Sequence, residues 1–134
     1  MKTVELPQPA ILAGQDAARA FFAPLFPASA RLERLFVAHL DEHARCIGLI
    51  EHDGGPSEVG LPVRQILSNA LKLGSAGIML AHNHPGGDAM PSRADLLATR
   101  RLADAGSAMD LPVVDHLIFA GMDACTSMRQ LGYL

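Results

Sequence analysis

The stretch Ala81-His82-Asn83-His84-Pro85-Gly86-Gly87-Asp88-Ala89-Met90-Pro91-Ser92-Arg93-Ala94-Asp95 lies between an apolar run and a helical pattern, and its reading decides the fold. Side chains alternate faces along an extended strand, so His82 and His84 project to the same side and one cation can take both imidazoles. Asp95 follows His84 by eleven residues, across a loop with Pro85, Gly86, Gly87 and Pro91 that can fold back and set a carboxylate beside them. Three protein ligands result, the number that catalytic zinc sites commonly use with water in the fourth position. The residues alone leave a second reading open. In it the histidines are loop histidines and Ser92-x-x-Asp95 is a capping-box variant that starts the next helix.

Working outward, Ala76 to Ala81 is a short apolar run consistent with a buried strand, which puts the two histidines at its C-terminal end. Before it, Leu61 to Gly74 reads as a helix with Pro62 at the first helical position and Gly74 just past the end; Val63, Ile66, Leu67, Ala70 and Gly74 share one face. After it, Ala94, Ala98, Leu102, Ala105 and Met109 repeat at helical spacing, so Ser92 to about Ala108 is a second amphipathic helix. Pro112 to Ala120 is a further apolar strand, with Ala124 to Ser127 pairing back across Gly121-Met122-Asp123.

Nearer the N-terminus, Glu33 to Leu40 alternates, placing Glu33, Leu35, Val37 and His39 on one face and Phe36, Ala38 and Leu40 on the other. A turn at Asp41-Glu42-His43 joins it to a second strand, Arg45 to Ile50, as a hairpin. Gln15 to Ala23 reads as a short helix stopped near Pro24 and Pro27. Met1 to Ala13, with Pro7 and Pro9 and no period, reads as an extended arm before a single domain over residues 14–134. The class is α/β or α+β, with one mixed sheet flanked by helices.

Composition narrows the functions. A chain of 134 residues with 49% hydrophobic and 19% charged residues holds an ordinary core. With 4% aromatics and no Trp, that core is built from Leu, Ile, Val, Ala and Met. A net charge of −3 argues against a protein that neutralises many phosphates. Cys46 and Cys125 are far apart, without CxxC spacing, and read as free thiols in a reducing compartment. Glu5, Pro7 and Pro9 interrupt any signal-like segment and no run is long enough to span a bilayer, so the expectation is a cytoplasmic protein without membrane contact.

A zinc ion held by two imidazoles and a carboxylate activates a water near neutral pH, and a further carboxylate is then needed to carry its proton to a leaving amine. Residue type alone leaves Glu33, Glu42, Glu51 and Glu58 as candidates. His82-x-His84-Pro85, six residues, then Ser92-x-x-Asp95 resembles the JAMM (MPN+) signature of zinc metalloproteases that cleave peptide and isopeptide bonds. Ala81 to Asp95, with Ala98-Thr99-Arg100-Arg101-Leu102 and Asp115-His116-Leu117-Ile118, is similar to the RadC family of bacterial JAMM-domain proteins, over about Gln15 to Leu134.

The resemblance implies an MPN fold of the cytidine-deaminase-like type, zinc on His82, His84 and Asp95, and a protein or peptide substrate. It also implies Glu33 as general base or acid, and Ser92 as hydrogen-bonding the activated water or the tetrahedral oxyanion. The family name implies a DNA-repair complex as partner. Many relatives carry an N-terminal region resembling helix-hairpin-helix modules, where only Met1 to Ala13 precede the match here, which weakens that expectation. Two further departures are Gly86, where the family's Ser is common, and Val63-Arg64-Gln65, where Pro-Arg-Glu is frequent. A DNA-associated accessory domain and a non-catalytic MPN scaffold are the competing functions; oligomeric state is not legible.

Other residues read more plainly. Asp115-His116 has the chemistry to extend the site, but His116 in an apolar strand reads as a satisfied core or edge histidine. His39, His43 and His52 with Cys46 lack ligand spacing and read as solvated. Arg93, Arg100 and Arg101 read as a solvated helix face balanced by Asp104. No G-x-S-x-G elbow supports a serine hydrolase, and His82-Asn83-His84 is not an HNH nuclease motif.

Overall fold

Alternation in Leu35–Leu40 gives a strand that is buried on both sides. Leu35 and Val37 point into one apolar cluster, while Phe36, Ala38 and Leu40 point into the other. A computed structural model describes residues 1–6, 9–55, 61–121 and 123–134. The order is β1 (Lys2–Val4), α1 (Gln15–Phe22), a 3₁₀ turn (Ala23–Leu25), β2 (Leu35–Leu40), β3 (Cys46–His52), α2 (Val63–Leu73), β4 (Gly77–Asn83), α3 (Arg93–Ser107), β5 (Val113–Ala120) and β6 (Ala124–Ser127).

These strands form one mixed sheet ordered β1-β3-β2-β4-β5-β6, in which only β4 and β5 run parallel. That parallel pair is connected through α3, as a βαβ crossover requires. One face packs Ala18 and Phe22 of α1 with Phe26 against Phe36, Met79, Leu117 and Phe119. The other packs Ile66 and Ala70 of α2 and Ala98 and Leu102 of α3 against Leu35, Val37, Ile78, Leu80 and Val113. The expected α+β class with one mixed sheet between helices is the observed architecture.

Element boundaries depart from the sequence reading where local chemistry intervenes. Residues 2–4 of the N-terminal arm pair with β3 as an edge strand, Lys2 opposite Glu51, and Leu12 is buried in the core. Pro62 is the N-cap of α2 rather than its first helical residue, with ψ 69°. Gly74 closes the helix in the left-handed conformation at φ 67°. The strand expected to begin at Glu33 begins at Leu35, because the backbone of Arg34 bonds the Asn83 side chain instead of a neighbouring strand. His39 and His52 are buried, not solvated: the pleat that sends Leu35 and Val37 inward carries His39 with them, and only His43 lies exposed at the turn.

Candidate metal centre

Three segments meet at the C-terminal end of β4. Antiparallel pairing sets Leu35 of β2 opposite His82, and that register brings Glu33, just before β2, to the same end of the sheet. On the other side β5 runs parallel, with His116 opposite Leu80 and Ile118 opposite His82. The loop after His84 turns back at Gly87, whose φ is 93°, and delivers the N-terminus of α3.

His84 Nε2 lies 3.0 Å from His82 Nε2 and 3.0 Å from Asp95 Oδ2, and His82 Nε2 lies 3.5 Å from Asp95 Oδ1. A tetrahedral ion with bonds of ~2.0–2.1 Å separates its donor atoms by roughly 3.3–3.4 Å, and the two imidazole nitrogens and the two Asp95 oxygens that face them lie close to that spacing. His84 Nδ1 sits 2.7 Å from the Asp88 carbonyl oxygen, which only accepts. The ring proton of neutral His84 is therefore on Nδ1, and its Nε2 lone pair faces a carboxylate oxygen at 3.0 Å. Two lone pairs aimed at one point repel unless a proton or a cation lies between them. The donor set suits zinc, which takes imidazole nitrogen and carboxylate oxygen together.

Asp95 is 1% exposed, and burial alone would raise its pKa. Hydrogen bonds from His82 and from the Ser92 backbone N–H, joined by the positive charge the two histidines carry when protonated, outweigh burial and hold the carboxyl well below the usual carboxylate range. It is thus an anion near neutral pH. Ser92 is the N-cap of α3: its Oγ accepts from the Asp95 N–H at 3.0 Å while its own N–H donates to Asp95 Oδ2 at 2.8 Å. The same carboxylate thus faces the imidazoles and completes a capping box, so the helix-capping reading of Ser92-x-x-Asp95 holds and leaves the carboxylate turned towards both histidines.

Glu33 Oε1 stands 3.9 Å from His84 Nε2, with its side chain 37% exposed. Ligand atoms of Glu33, His82 and His84 all fall within 4.8 Å of one another, a group that could hold a metal ion, and the Asp95 oxygens lie nearer still to the two imidazoles, so both carboxylates face the histidine pair, Asp95 from the buried side and Glu33 from the open one. Among the other candidate glutamates, Glu51 is engaged in a two-point pair with Arg34 at 2.7 and 3.0 Å, Glu42 sits beside His43 at the β2–β3 turn, and Glu58 lies outside the described residues.

Sequence reasoning missed two features. Asn83, between the histidines, accepts from the Arg34 N–H at 2.7 Å and donates to the Leu32 carbonyl at 3.1 Å, bracketing Glu33 from both sides. No pattern in the sequence marks a contact between such distant segments. His116 is a buried histidine but not a bystander: its Nε2 lies 2.6 Å from His82 Nδ1 and its Nδ1 lies 2.7 Å from Thr99 Oγ1. No period in the sequence joins His116 to His82 or to Thr99, which lie 34 and 17 residues away. Asp115 does not join the site; its carboxylate accepts from Ser127 Oγ and from the backbone of His116 and Arg129.

The family model described as RadC-like JAB domain matches residues 12–133. A UPF0758 protein of Listeria innocua serovar 6a is 44% identical over 70 residues, covering 52% of this chain and 31% of that protein. A UPF0758 protein of Neisseria meningitidis serogroup B is 41% identical over 81 residues, covering 60% of this chain and 36% of that protein. The matched stretches thus span about a third of each relative's length.

Proposed function

The chain belongs to the RadC family of JAB-domain proteins, and from that membership we propose a zinc-dependent hydrolase that cleaves a peptide or isopeptide bond. The observation that carries the reading is the convergence of His82 Nε2, His84 Nε2 and an Asp95 carboxylate at 3.0–3.5 Å, with Glu33 on the open side at 3.9 Å. Zinc held by these three residues supplies Lewis acidity, lowering the pKa of water towards 7 and polarising a scissile carbonyl.

The chain's own residues do the rest. Glu33, accessible and clamped by the Asn83 bonds, takes a proton from the attacking water at Oε1 and returns it to the leaving amine. The Ser92 backbone N–H steadies Asp95, and the Ser92 hydroxyl, whose oxygen is used in the cap, keeps its own proton for an oxyanion. His82 and Asp95 are closed off from water, so a substrate meets the centre from the side of His84 and Glu33. A cavity of about 700 Å³ opens beside Glu33, Leu32, Leu61 and Gln65, room for a peptide segment. The two cysteines are free, in keeping with a reducing, cytoplasmic setting. Among the described residues no helix is long and apolar enough to cross a membrane.

Elemental analysis of purified protein tests the metal, and cleavage of quenched peptide and isopeptide substrates tests the chemistry. One zinc per chain is expected, lost on His82→Ala, His84→Ala or Asp95→Ala. Glu33→Gln should keep zinc and fold while reducing hydrolysis to background. Absence of stoichiometric zinc, or zinc content indifferent to the three alanines, overturns the metal centre. A zinc-loaded parent inert on every substrate class points to the scaffold reading instead.

A further inference from the structure

His82 does not reach its partners unaided. Behind it, away from the Glu33 opening, runs a hydrogen-bonded chain from His82 Nδ1 to His116 Nε2 at 2.6 Å and from His116 Nδ1 to Thr99 Oγ1 at 2.7 Å. His82 and His116 are fully buried and Thr99 is 2% exposed, so the chain is sealed from water. The two rings stand 4.7 Å apart at 63°, edge to face.

Proton accounting allows this chain two states when both rings are neutral. In one, Thr99 Oγ–H donates to His116 Nδ1, His116 Nε2–H donates to His82 Nδ1, and the His82 proton sits on Nε2, between His84 and Asp95. In the other, His82 Nδ1–H donates to His116 Nε2, His116 Nδ1–H donates to Thr99 Oγ1, and the Thr99 hydroxyl turns its own proton away. Each residue carries one proton in both states, so nothing is gained or lost. Only the second leaves the His82 Nε2 lone pair free towards His84 and Asp95.

We propose that Thr99 and His116 are positioning residues that hold His82 as its Nδ1–H tautomer when a divalent cation occupies the centre, both rings switching tautomer together on metal binding. Metal-bound histidines regularly donate their second N–H to a carboxylate, carbonyl or water. Here a neutral imidazole takes that place and adds no further anion beside Asp95.

The inference rests on His82 being a metal ligand, and the experiment separates the two. Zinc affinity is measured by competition with a chelator for the full chain, His116→Phe, His116→Gln and Thr99→Val. Long-range proton–nitrogen spectra of the histidine rings are recorded for the parent with and without zinc. Expected are Nδ1–H tautomers for both His82 and His116 in the zinc form, with His82 on Nε2–H before zinc is added. His116→Phe should lose roughly 10- to 100-fold in zinc affinity, with His116→Gln recovering most of it because its side-chain oxygen still accepts from His82. Thr99→Val should weaken binding less. A parent that binds no zinc removes the ligand assignment and this inference with it. A parent that binds zinc with His82 protonated on Nε2, or a folded His116→Phe that binds as tightly as the parent, overturns the inference alone. Should His116→Phe fail to fold, the parent spectra decide.

Discussion

At the residue scale, the site depends on groups that are not its ligands. Glu33 reaches the centre because Asn83 holds the backbone on either side of it, at Leu32 and at Arg34. Asn83→Ala leaves an N–H and a carbonyl without their partner, a loss of about 1–3 kcal/mol. Under the proposed hydrolase reading, the expected outcome is full zinc content with lowered stability in urea and weakened hydrolysis, because His82, His84 and Asp95 stay in place while Glu33 drifts. Asn83→Asp keeps the acceptor for Arg34 and loses the donor for Leu32, so it should fall between parent and alanine. Loss of zinc in Asn83→Ala with hydrolysis per bound zinc unchanged would contradict this account. The candidate ligands were legible in the sequence as a group the fold brings together, since His82, His84 and Asp95 lie within one short stretch and meet at 3.0–3.5 Å. Neither the clamp nor His116 was, because each joins segments far apart in the chain and hydrogen bonds of that kind leave no period to read.

At the element scale, helices and strands followed their apolar spacing closely. The two faces assigned to Leu35–Leu40 are the two observed, and β6 occupies the expected Ala124–Ser127. The edge strand β1 escaped notice because three residues carry too little alternation to register and gain their order from β3. Helix α3, which carries Asp95, Ser92 at its cap and Thr99, owes its placement to a close approach at its far end. A Cβ on Gly106 would collide with the backbone carbonyl oxygen of Leu111, which cannot swing away because the Leu111 N–H is bonded to the Gly106 oxygen at 2.8 Å. Alanine gains about 1 kcal/mol in helix propensity over glycine, but overpacking against fixed backbone costs about 1–3 kcal/mol or more. Gly106→Ala should therefore lower the melting temperature; a higher one would show that propensity outweighs the collision.

At the scale of the whole molecule, the sheet stores titratable groups outside the site. Burial, and next the neighbouring His52, hold His39 down at about 4, against 6.5 for an exposed histidine. Its Nδ1 pairs with Ser75 Oγ at 2.9 Å while its Nε2 has no hydrogen-bond partner among the described residues. Between pH 6.5 and 4 the unfolded chain takes up a proton that the folded chain refuses, so stability falls as pH drops through that window and levels off below it. From pH 7 to 4.5 the expected loss from this residue is about 2 kcal/mol. Urea denaturation at both pH values should show a shallower decline for His39→Met; an equal decline would clear His39 of the effect. The sequence could not reveal this burial, since a histidine in alternation with Leu35 and Val37 reads equally well as a polar interruption.

The antiparallel register that sets Leu35 against His82 also orders events in time. Those two strands are distant along the chain, and β4 must further find β5 in parallel, so the sheet has the non-local connectivity of slow-folding topologies. Glu33, His84 and His116 share one end of the sheet only after both pairings close. A chain captured early offers a cation no more than the short His82–Asp95 loop, and the finished cage arrives late on the folding route. In stopped-flow measurements zinc should accordingly slow the unfolding limb of the chevron and leave the refolding limb nearly unchanged, making the metal a latch on a completed fold; acceleration of refolding by zinc would place the cage in the folding nucleus instead.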